Sequence, residues 1–395
     1  MVNTHYKDNV KLIAQELQEG KITYEFAGGT ALSIQGVTIR EKQEIHVHFQ
    51  WDQFDMLLQF YHSYDPIITE KNENEAEFQF MRDQLTIIFS CHYNKSLKTD
   101  PYRILKRVDD DEVWCRSLYS YIFNGNNQYA EKVHQYLFEK QQEINNNNEF
   151  AWNQNNYQAL LNRYGLPREA AAKVKQNPIW KLHPFNKYLG DIQGKKIVHL
   201  MGSNGIKGVA MALLGADVSI VDFSMENQRF AHEVASEAGV DIQYNVSDVL
   251  SLDVNLLGVN NDIVLMELGV LHYYIDLKPL AELISKLLKD NGMFILHEFH
   301  PISTKLITST GKKHKVTGDY FDPTIKTKDV AFTKHMSSEI QQELSKVFQR
   351  YWTLGEIITA LAAEGLFVKI LEEEPNHKVH DIGLPKTFTI CAVKS

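Results

Sequence analysis

Two glycines and a series of acids in the second half of the chain have the spacing of a nucleoside-binding edge. In IVHLMGSNGIKG, residues 197–208, an apolar run enters a turn that carries Gly202, Ser203 and Gly205. Glycines in such a turn let the backbone bend tightly and approach a ligand closely. The helix expected after them offers unpaired N–H groups to a polar ligand. Asp222 closes the next apolar run, twenty residues after Gly202, where an acid accepts hydrogen bonds from ribose hydroxyls. Asp248 follows IQYNVS and suits the exocyclic amine of an adenine, or the backbone beside it. Further along, HEFHPIS at 297–303 brings His297, Glu298 and His300 to the end of another apolar run, where binding groups collect. The HxxH spacing lacks a third ligand at a supporting distance, so no metal is expected.

The elements that must position these residues alternate. KKIVHLM, ADVSIVDF, IQYNVSD, DIVLMEL, MFILHEF, LFVKILEEE and FTICAVK read as strands. GVAMALLG, ENQRFAHEVASEAG, KPLAELISKLLKDNG and LGEIITALAAEG read as helices between several of them. That βαβ rhythm predicts an α/β fold with a mostly parallel sheet covered on both faces, and ligands beyond the carboxyl ends of its strands. Between the fifth strand and the helix near Trp352 lies a stretch of about 50 residues, far beyond an ordinary connection. A lid or substrate-binding insertion is expected around 302–351.

The first segment reads as a smaller α+β domain over residues 1–140. NVKLIAQELQEG predicts an amphipathic helix, YEFAGGTALSIQG a strand, a double-glycine turn and a short helix, and EIHVHFQ a strand. EAEFQFMRD and QLTIIFSCHY predict a strand pair, and EVWCRSLYSYIFN and QYAEKVHQYLFEKQQ helices. The polar, asparagine-rich stretch around 141–156 reads as an interdomain linker, leaving 157–395 as the α/β domain.

Composition narrows the function classes. The chain has 395 residues, 44% hydrophobic and 23% charged, with a formal net charge of -9. An acidic balance disfavours a protein that coats nucleic acid. The basic run GKKHK at 311–315 reads as a solvated loop. Cys91, Cys115 and Cys391 are scattered and odd in number, which fits a reducing compartment. The N-terminus MVNTHYKDNVKL lacks the apolar stretch of a signal peptide, and no run of 18 apolar residues could span a bilayer. A cytoplasmic protein with no membrane partner is expected.

The ordered set of motifs in the second segment resembles the class I S-adenosylmethionine-dependent methyltransferases. The glycine turn, Asp222 with FSMENQRFAHEVA, SDVLSL, and DIVLMELGVLHYYIDLKPLAELISKLLKDNGMFILHEFHP occur in that family's order. The terminal pair LFVKILEEE and FTICAVK looks like the antiparallel hairpin that closes the family's Rossmann-like seven-stranded sheet. The resemblance implies S-adenosyl-L-methionine as cofactor. It assigns Gly202, Ser203 and Gly205 to the turn beneath the amino-acid part, Asp222 to the ribose, Phe223 and Val249 to the borders of the adenine, and Asp248 to its amino edge. Glu267, Leu268 and Gly269, on to Val270, form the floor beside the sulfonium, and Tyr157 covers the cofactor. The usual acid that orders the glycine loop is replaced by His199, and Met201 and Ser203 stand at positions commonly glycine. His272, Tyr273, His297 and His300 are the candidates for the acceptor wall, and a small-molecule acceptor is expected. An NAD-dependent oxidoreductase is the nearest alternative, because a glycine turn with an acid about 20 residues on also suits NAD; a catalytically silent two-domain binding or scaffold protein is the third.

EFAGGTALSIQGVTIREKQEIHVHF in the first segment resembles the start of the nucleotidyltransferase fold, in which a glycine pair precedes a strand bearing two metal-binding acids at alternate positions. Here those positions hold Glu44 and His46, with His48 next on the same face. Loss of the paired carboxylates predicts a domain that no longer transfers nucleotides.

Overall fold

A computed structural model describes residues 4–39, 43–123, 128–310, 313–375 and 383–395. Two residues of the basic run, Gly311 and Lys312, lie outside the described residues. The chain divides into two compact units, Met1–Leu137 and Phe138–Ser395.

The first unit is a seven-stranded mixed sheet with helices. Its strands are β1 (Tyr24–Phe26), β2 (Glu44–Phe49), β3 (Ile67–Lys71), β4 (Glu75–Arg82), β5 (Leu85–His92), β6 (Arg103–Val108) and β7 (Asp111–Arg116), in the spatial order β3-β4-β5-β2-β1-β7-β6. Alternation along β2, β4 and β5 puts Ile45, Val47, Phe78, Phe80, Ile87 and Phe89 in one core. Val10, Ile13, Ala14 and Leu17 of the helix Thr4–Glu19 join that core at helical spacing. EVWCRSLYSYIFN does not form the single helix its composition suggests. Residues 111–116 pair antiparallel with β6 and, through Cys115, parallel with Phe26 of β1, and only Tyr119–Phe123 is helical. The buried Val113 and Cys115 alternate with half-buried Trp114, a two-residue period that tertiary pairing selects over helix.

The second unit carries another seven-stranded sheet. Its strands are β8 (Lys196–Leu200), β9 (Asp217–Asp222), β10 (Gln243–Val246), β11 (Asn261–Glu267) and β12 (Leu288–Phe299), followed by four short strands of an insertion. These are β13 (Ile307–Thr310), β14 (Lys313–Val316), β15 (Ile325–Lys328) and β16 (Val347–Arg350), and β17 (Leu366–Pro375) and β18 (Pro385–Lys394) complete the main sheet. Its order is β10-β9-β8-β11-β12-β18-β17. The first five strands are parallel, and β18 runs antiparallel to both β12 and β17. This is the mostly parallel α/β sheet that the alternating pattern predicts, with the closing hairpin that the resemblance implies.

Both faces are covered. Ile263, Leu265 and Ile295 pack in one cluster with Val209 and Ala210 of the helix Ile206–Leu213, and with Phe230 and Val234 of the helix Met225–Ala238. Phe294 and Leu296 meet Leu280, Ile284, Ile357 and Leu361 from the helices Lys278–Leu287 and Leu354–Ala363. Strand order reverses between β8 and β11, so the crevice for a ligand opens beyond the ends of these two strands.

The stretch read as a linker is helical. Residues 138–152 belong to the second unit as part of the helix Ala130–Trp152, and a further helix starts at Asn156. Its amide side chains satisfy other backbone. Asn148 accepts from Phe348 N at 2.9 Å and donates to Phe348 O at 3.2 Å, Asn147 donates to Lys346 O at 2.9 Å, and Gln141 bonds Tyr273 O and Ile275 N. The asparagines therefore pair one edge of β16, a use that composition alone does not reveal.

The insertion holds a turn of π-helix at Ile302–Leu306, the β13–β14 hairpin, and a β15–β16 pair whose connection carries the turn Thr333–His335 and the short helix Ser338–Glu343. Its base is anchored: Val330, Phe332 and Val347 are buried in the core, and Lys305 Nζ ties Asp322 O at 2.7 Å to Tyr351 O at 2.8 Å.

Candidate functional site

The turn after β8 is built on left-handed backbone. Met201 (φ 52°), Ser203 (φ 47°) and Gly205 (φ 72°) all occupy that region, which costs a non-glycine residue about 1–3 kcal/mol. This explains why glycine suits the positions that Met201 and Ser203 hold. Gly202 is required for space: a Cβ there would lie 2.6 Å from Ile220 Cγ2 and 3.0 Å from the His199 ring.

Asp222 does more than end β9. Its Oδ2 accepts from Ser203 N at 3.1 Å, and its Oδ1 accepts from Ser224 N at 3.0 Å and Asn227 Nδ2 at 3.1 Å. The carboxylate therefore orders the glycine turn, the task that the resemblance gives to the acid replaced by His199. Burial pushes its carboxyl above the ordinary range, against these hydrogen bonds. A carboxylate has about four acceptor positions, so ribose hydroxyls can still be received. Tyr244 adds a second tether, donating its hydroxyl to Ser203 O at 2.6 Å. Ser203 Oγ itself is buried without a partner among the described residues.

His199, Glu267 and His297 end three neighbouring strands on the face that packs against the helix Ile206–Leu213, as their registers and two-residue alternation require. His199 is 1% exposed, and neither ring nitrogen has a hydrogen-bond partner among the described residues. Its Nε2 lies 3.7 Å from Glu267 Oε1. Burial lowers its pKa to about 4, so the imidazole is neutral. Glu267 is ion-paired with Lys207, whose ammonium also stands 4.7 Å from the centre of the Phe185 ring. His297 Nδ1 meets Thr389 Oγ1 at 2.9 Å, and burial lowers its pKa to about 4 as well.

Beyond Glu267 the chain turns through Leu268 (φ 47°) and Gly269 (φ 83°). Glu298, 1% exposed, holds this loop from the other face of β12. Its carboxylate accepts from the backbone N–H groups of Gly269 (2.5 Å), Val270 (2.9 Å), Leu271 (3.2 Å) and Phe299 (2.7 Å). The tyrosines that follow are committed inward. Tyr273 accepts from Trp152 Nε1 at 3.2 Å, and Tyr274 donates its hydroxyl to Met201 Sδ at 3.2 Å. The Tyr273 phenol is pushed up to about 12 by burial.

The remaining candidates separate. Asp248 caps the turn Val249–Ser251, accepting from Leu250 N and from Ser251 Oγ at 2.9 Å. Val249 is buried, and Phe223 packs half-buried against the core. Tyr157 is engaged with the helix Met225–Ala238: its hydroxyl donates to Glu233, Arg229 covers its ring, and its N–H donates to Glu226. His300 is spent on the closing hairpin, between Glu373 at 2.6 Å and Ile302 N at 3.1 Å. The structure thus brings the glycine turn, Asp222, His199 and Glu267 to one edge and turns His300 away to the hairpin. Sequence reasoning did not single out Lys207, Asn227 or Tyr244.

Among the described residues no group of three or more His, Cys, Asp or Glu is placed to hold a metal ion, and no helix is long and apolar enough to cross a membrane.

No protein-family model and no curated protein matches the chain. Solved structures do. A putative S-adenosylmethionine-dependent methyltransferase from Listeria monocytogenes is 21% identical, with 56% of this chain and 99% of that chain covered and a TM-score of 0.45. An S-adenosylmethionine-dependent methyltransferase from Mesorhizobium loti is 19% identical, with 56% and 100% covered and a TM-score of 0.44. The magnesium protoporphyrin IX methyltransferase of Synechocystis, with bound S-adenosylhomocysteine, is 15% identical, with 62% and 96% covered and a TM-score of 0.39. All three identities are low, and the reading of the site rests on this chain's own residues.

Proposed function

We propose that the second unit binds S-adenosylmethionine and transfers its methyl group to a small-molecule acceptor, in the cytoplasm. One observation carries this reading: a sheet of order β10-β9-β8-β11-β12-β18-β17, closed by an antiparallel hairpin, with a left-handed turn at its switch point tethered to an acid on the next strand. The residues fit the cofactor. The backbone of 202–205 and the spare acceptor positions of Asp222 suit a nucleoside with an amino-acid tail, and Ser203 Oγ is a buried hydroxyl lacking a partner among the described residues.

The bound cofactor would supply an electrophilic sulfonium methyl group. The protein's share is then to align the acceptor and exclude water. Glu267 and the loop it opens, held by Glu298, form the floor on which that alignment is built. The anchored insertion 302–351 supplies the acceptor wall. An NAD-dependent oxidoreductase is favoured less, since the closing hairpin matches the methyltransferase pattern. For the first unit we propose a binding or regulatory role, because its resemblance to the nucleotidyltransferase fold would set Glu44 and His46 at the positions of two acids.

Calorimetry tests the cofactor. S-adenosylmethionine and S-adenosylhomocysteine are expected to bind at micromolar strength and NAD not measurably. Binding of NAD alone promotes the oxidoreductase, and binding of none of the three promotes the silent module.

A further inference from the structure

We infer that His272 is the residue against which the methyl acceptor docks, and that the acceptor presents a neutral O–H or N–H to it. This rests on the methyltransferase reading. His272 stands in the 3-10 turn Leu271–Tyr273, just beyond the end of β11. It is 7% exposed, and neither Nδ1 nor Nε2 has a partner among the described residues. Buried polar atoms are nearly always satisfied, so a doubly unmet imidazole needs an account.

Looseness does not provide one. The backbone on either side of the ring is fixed by Glu298, which accepts from Val270 N and Leu271 N, and by Trp352 Nε1, which donates to Leu271 O at 3.0 Å and to Tyr274 O at 3.2 Å. The turn is thus braced from two elements while the ring's own polar atoms are left over. Of the other histidines, His297 and His300 are bonded to Thr389 and Glu373, and His199, whose nitrogens are also unmet among the described residues, lies under the glycine turn. The far end of the insertion reaches His272, with the Tyr351 ring centred 4.3 Å from it.

The surroundings define what could fill the vacancy in hydrogen bonding. The charged and titratable groups that act on the ring are Glu298 from β12, Lys305 from the turn Ile302–Leu306, and Tyr351. Burial keeps the imidazole below its ordinary range despite Glu298, so it is uncharged near neutral pH. One nitrogen then accepts and the other donates. Such a group binds an O–H or N–H donor without demanding a charge. In the transfer, the acceptor's heteroatom forms a bond to the methyl carbon while the carbon–sulfur bond breaks and leaves its electron pair on sulfur. The donor becomes a neutral thioether, and the acceptor's proton passes to the accepting nitrogen of His272.

The test uses the full chain saturated with S-adenosylhomocysteine and two pairs of probes, phenol against anisole and aniline against N,N-dimethylaniline. The members of each pair share a ring and differ in the proton. NMR titration is expected to show at least a tenfold preference for phenol and aniline, lost in His272→Phe and partly kept in His272→Gln, which retains a donor and an acceptor. The Phe variant is also expected to unfold at an equal or higher temperature, because it removes unmet polar atoms. Equal binding of the members of each pair, no binding of any probe at millimolar concentration, or a preference that survives in His272→Phe overturns the inference. If wild-type protein fails to bind S-adenosylhomocysteine at the outset, the methyltransferase reading itself falls.

Discussion

The glycine turns at Gly28 and at Gly202–Gly205 differ in what their polar neighbours do. At the first, Gly28 (φ 52°) opens the helix Gly28–Ile34. Beside it, Thr30 Oγ1 accepts from His46 N at 3.0 Å and meets Tyr6 Oη at 2.9 Å, while Glu44 and His46 bond each other at 3.2 Å. These groups answer one another, and the unmet atom nearby among the described residues is Glu25 Oε2, on the strand that leads into the turn. At the second, Ser203 Oγ and both nitrogens of His199 are buried without hydrogen-bond partners among the described residues. Unmet buried polar atoms cost about 1–3 kcal/mol each, and a fold tolerates that cost most readily where a ligand removes it. The two turns look alike as sequence, but their hydrogen-bond inventories point to different uses.

The sharpest way to break this contrast is at Asp222. Replacing it with alanine removes one hydrogen bond to the turn and two to the start of the helix Met225–Ala238. Affinity for S-adenosylmethionine is expected to fall by roughly one to two powers of ten, since a hydrogen bond to a charged group contributes about 1.5–3 kcal/mol. Calorimetry on the variant checks this, and unchanged affinity would detach the turn from the cofactor. A comparable loss should appear in transfer, but not in cofactor binding, when the outer hairpin 307–316 is replaced by a short glycine-serine link. The expected fall in methyl transfer from labelled cofactor to a metabolite extract is about tenfold or more, or ~1.4 kcal/mol in barrier. Removing all of 302–351 is a different experiment, because Val330, Phe332 and Val347 would leave the core. That protein should lose stability before it loses specificity.

A third expectation concerns acid. His199 and His297 each have a folded pKa of about 4 because burial disfavours the imidazolium. Their unfolded counterparts titrate at about 6.5. Within that window the unfolded chain takes up protons that the folded chain refuses, so stability is full above the unfolded value and declines as pH falls toward 4. Each histidine accounts for on the order of 3 kcal/mol across the whole window. Urea unfolding at pH 7 and 4.5 should show this decline, and His199→Gln should reduce it. An equal decline in the variant would show that the acid sensitivity lies elsewhere.

The second unit was largely legible because its signals are local. Apolar runs of strand length alternate with helical periods from Lys196 onward, and Asp222 and Gly202 fall where those runs end. What escaped depends on pairing across long separations. β7 read as helix because its partner β6 was not recognised, and the asparagine-rich stretch read as linker because its acceptor and donor, Phe348, lies 200 residues away. The same holds inside the site. Lys207 looks like any lysine in the first turn of a helix, and only the fold sets it against Glu267, 60 residues on. Tyr157, the aromatic expected over the cofactor, has its hydroxyl on Glu233 and its ring under Arg229, contacts that its place in the sequence does not reveal.

The smallest expected effect is at the first turn. Glu44 and His46 sit at alternate positions of β2 and face the same side, the arrangement that would serve a metal pair if both were acids. They are about one-third exposed, and their contact is between one carboxylate and one imidazole. An exposed pair of this kind contributes about 0–1 kcal/mol, so Glu44→Ala should shift unfolding little and leave S-adenosylmethionine affinity within twofold. A magnesium ion under a triphosphate needs hard oxygen ligands, and His46 supplies nitrogen in place of one. With ATP, GTP, CTP or UTP and either magnesium or manganese, the wild-type protein is therefore expected to incorporate no nucleotide. Incorporation that vanishes in Glu44→Ala would restore an active site to this turn, and the difference drawn between the two turns would then lie in the kind of ligand each takes.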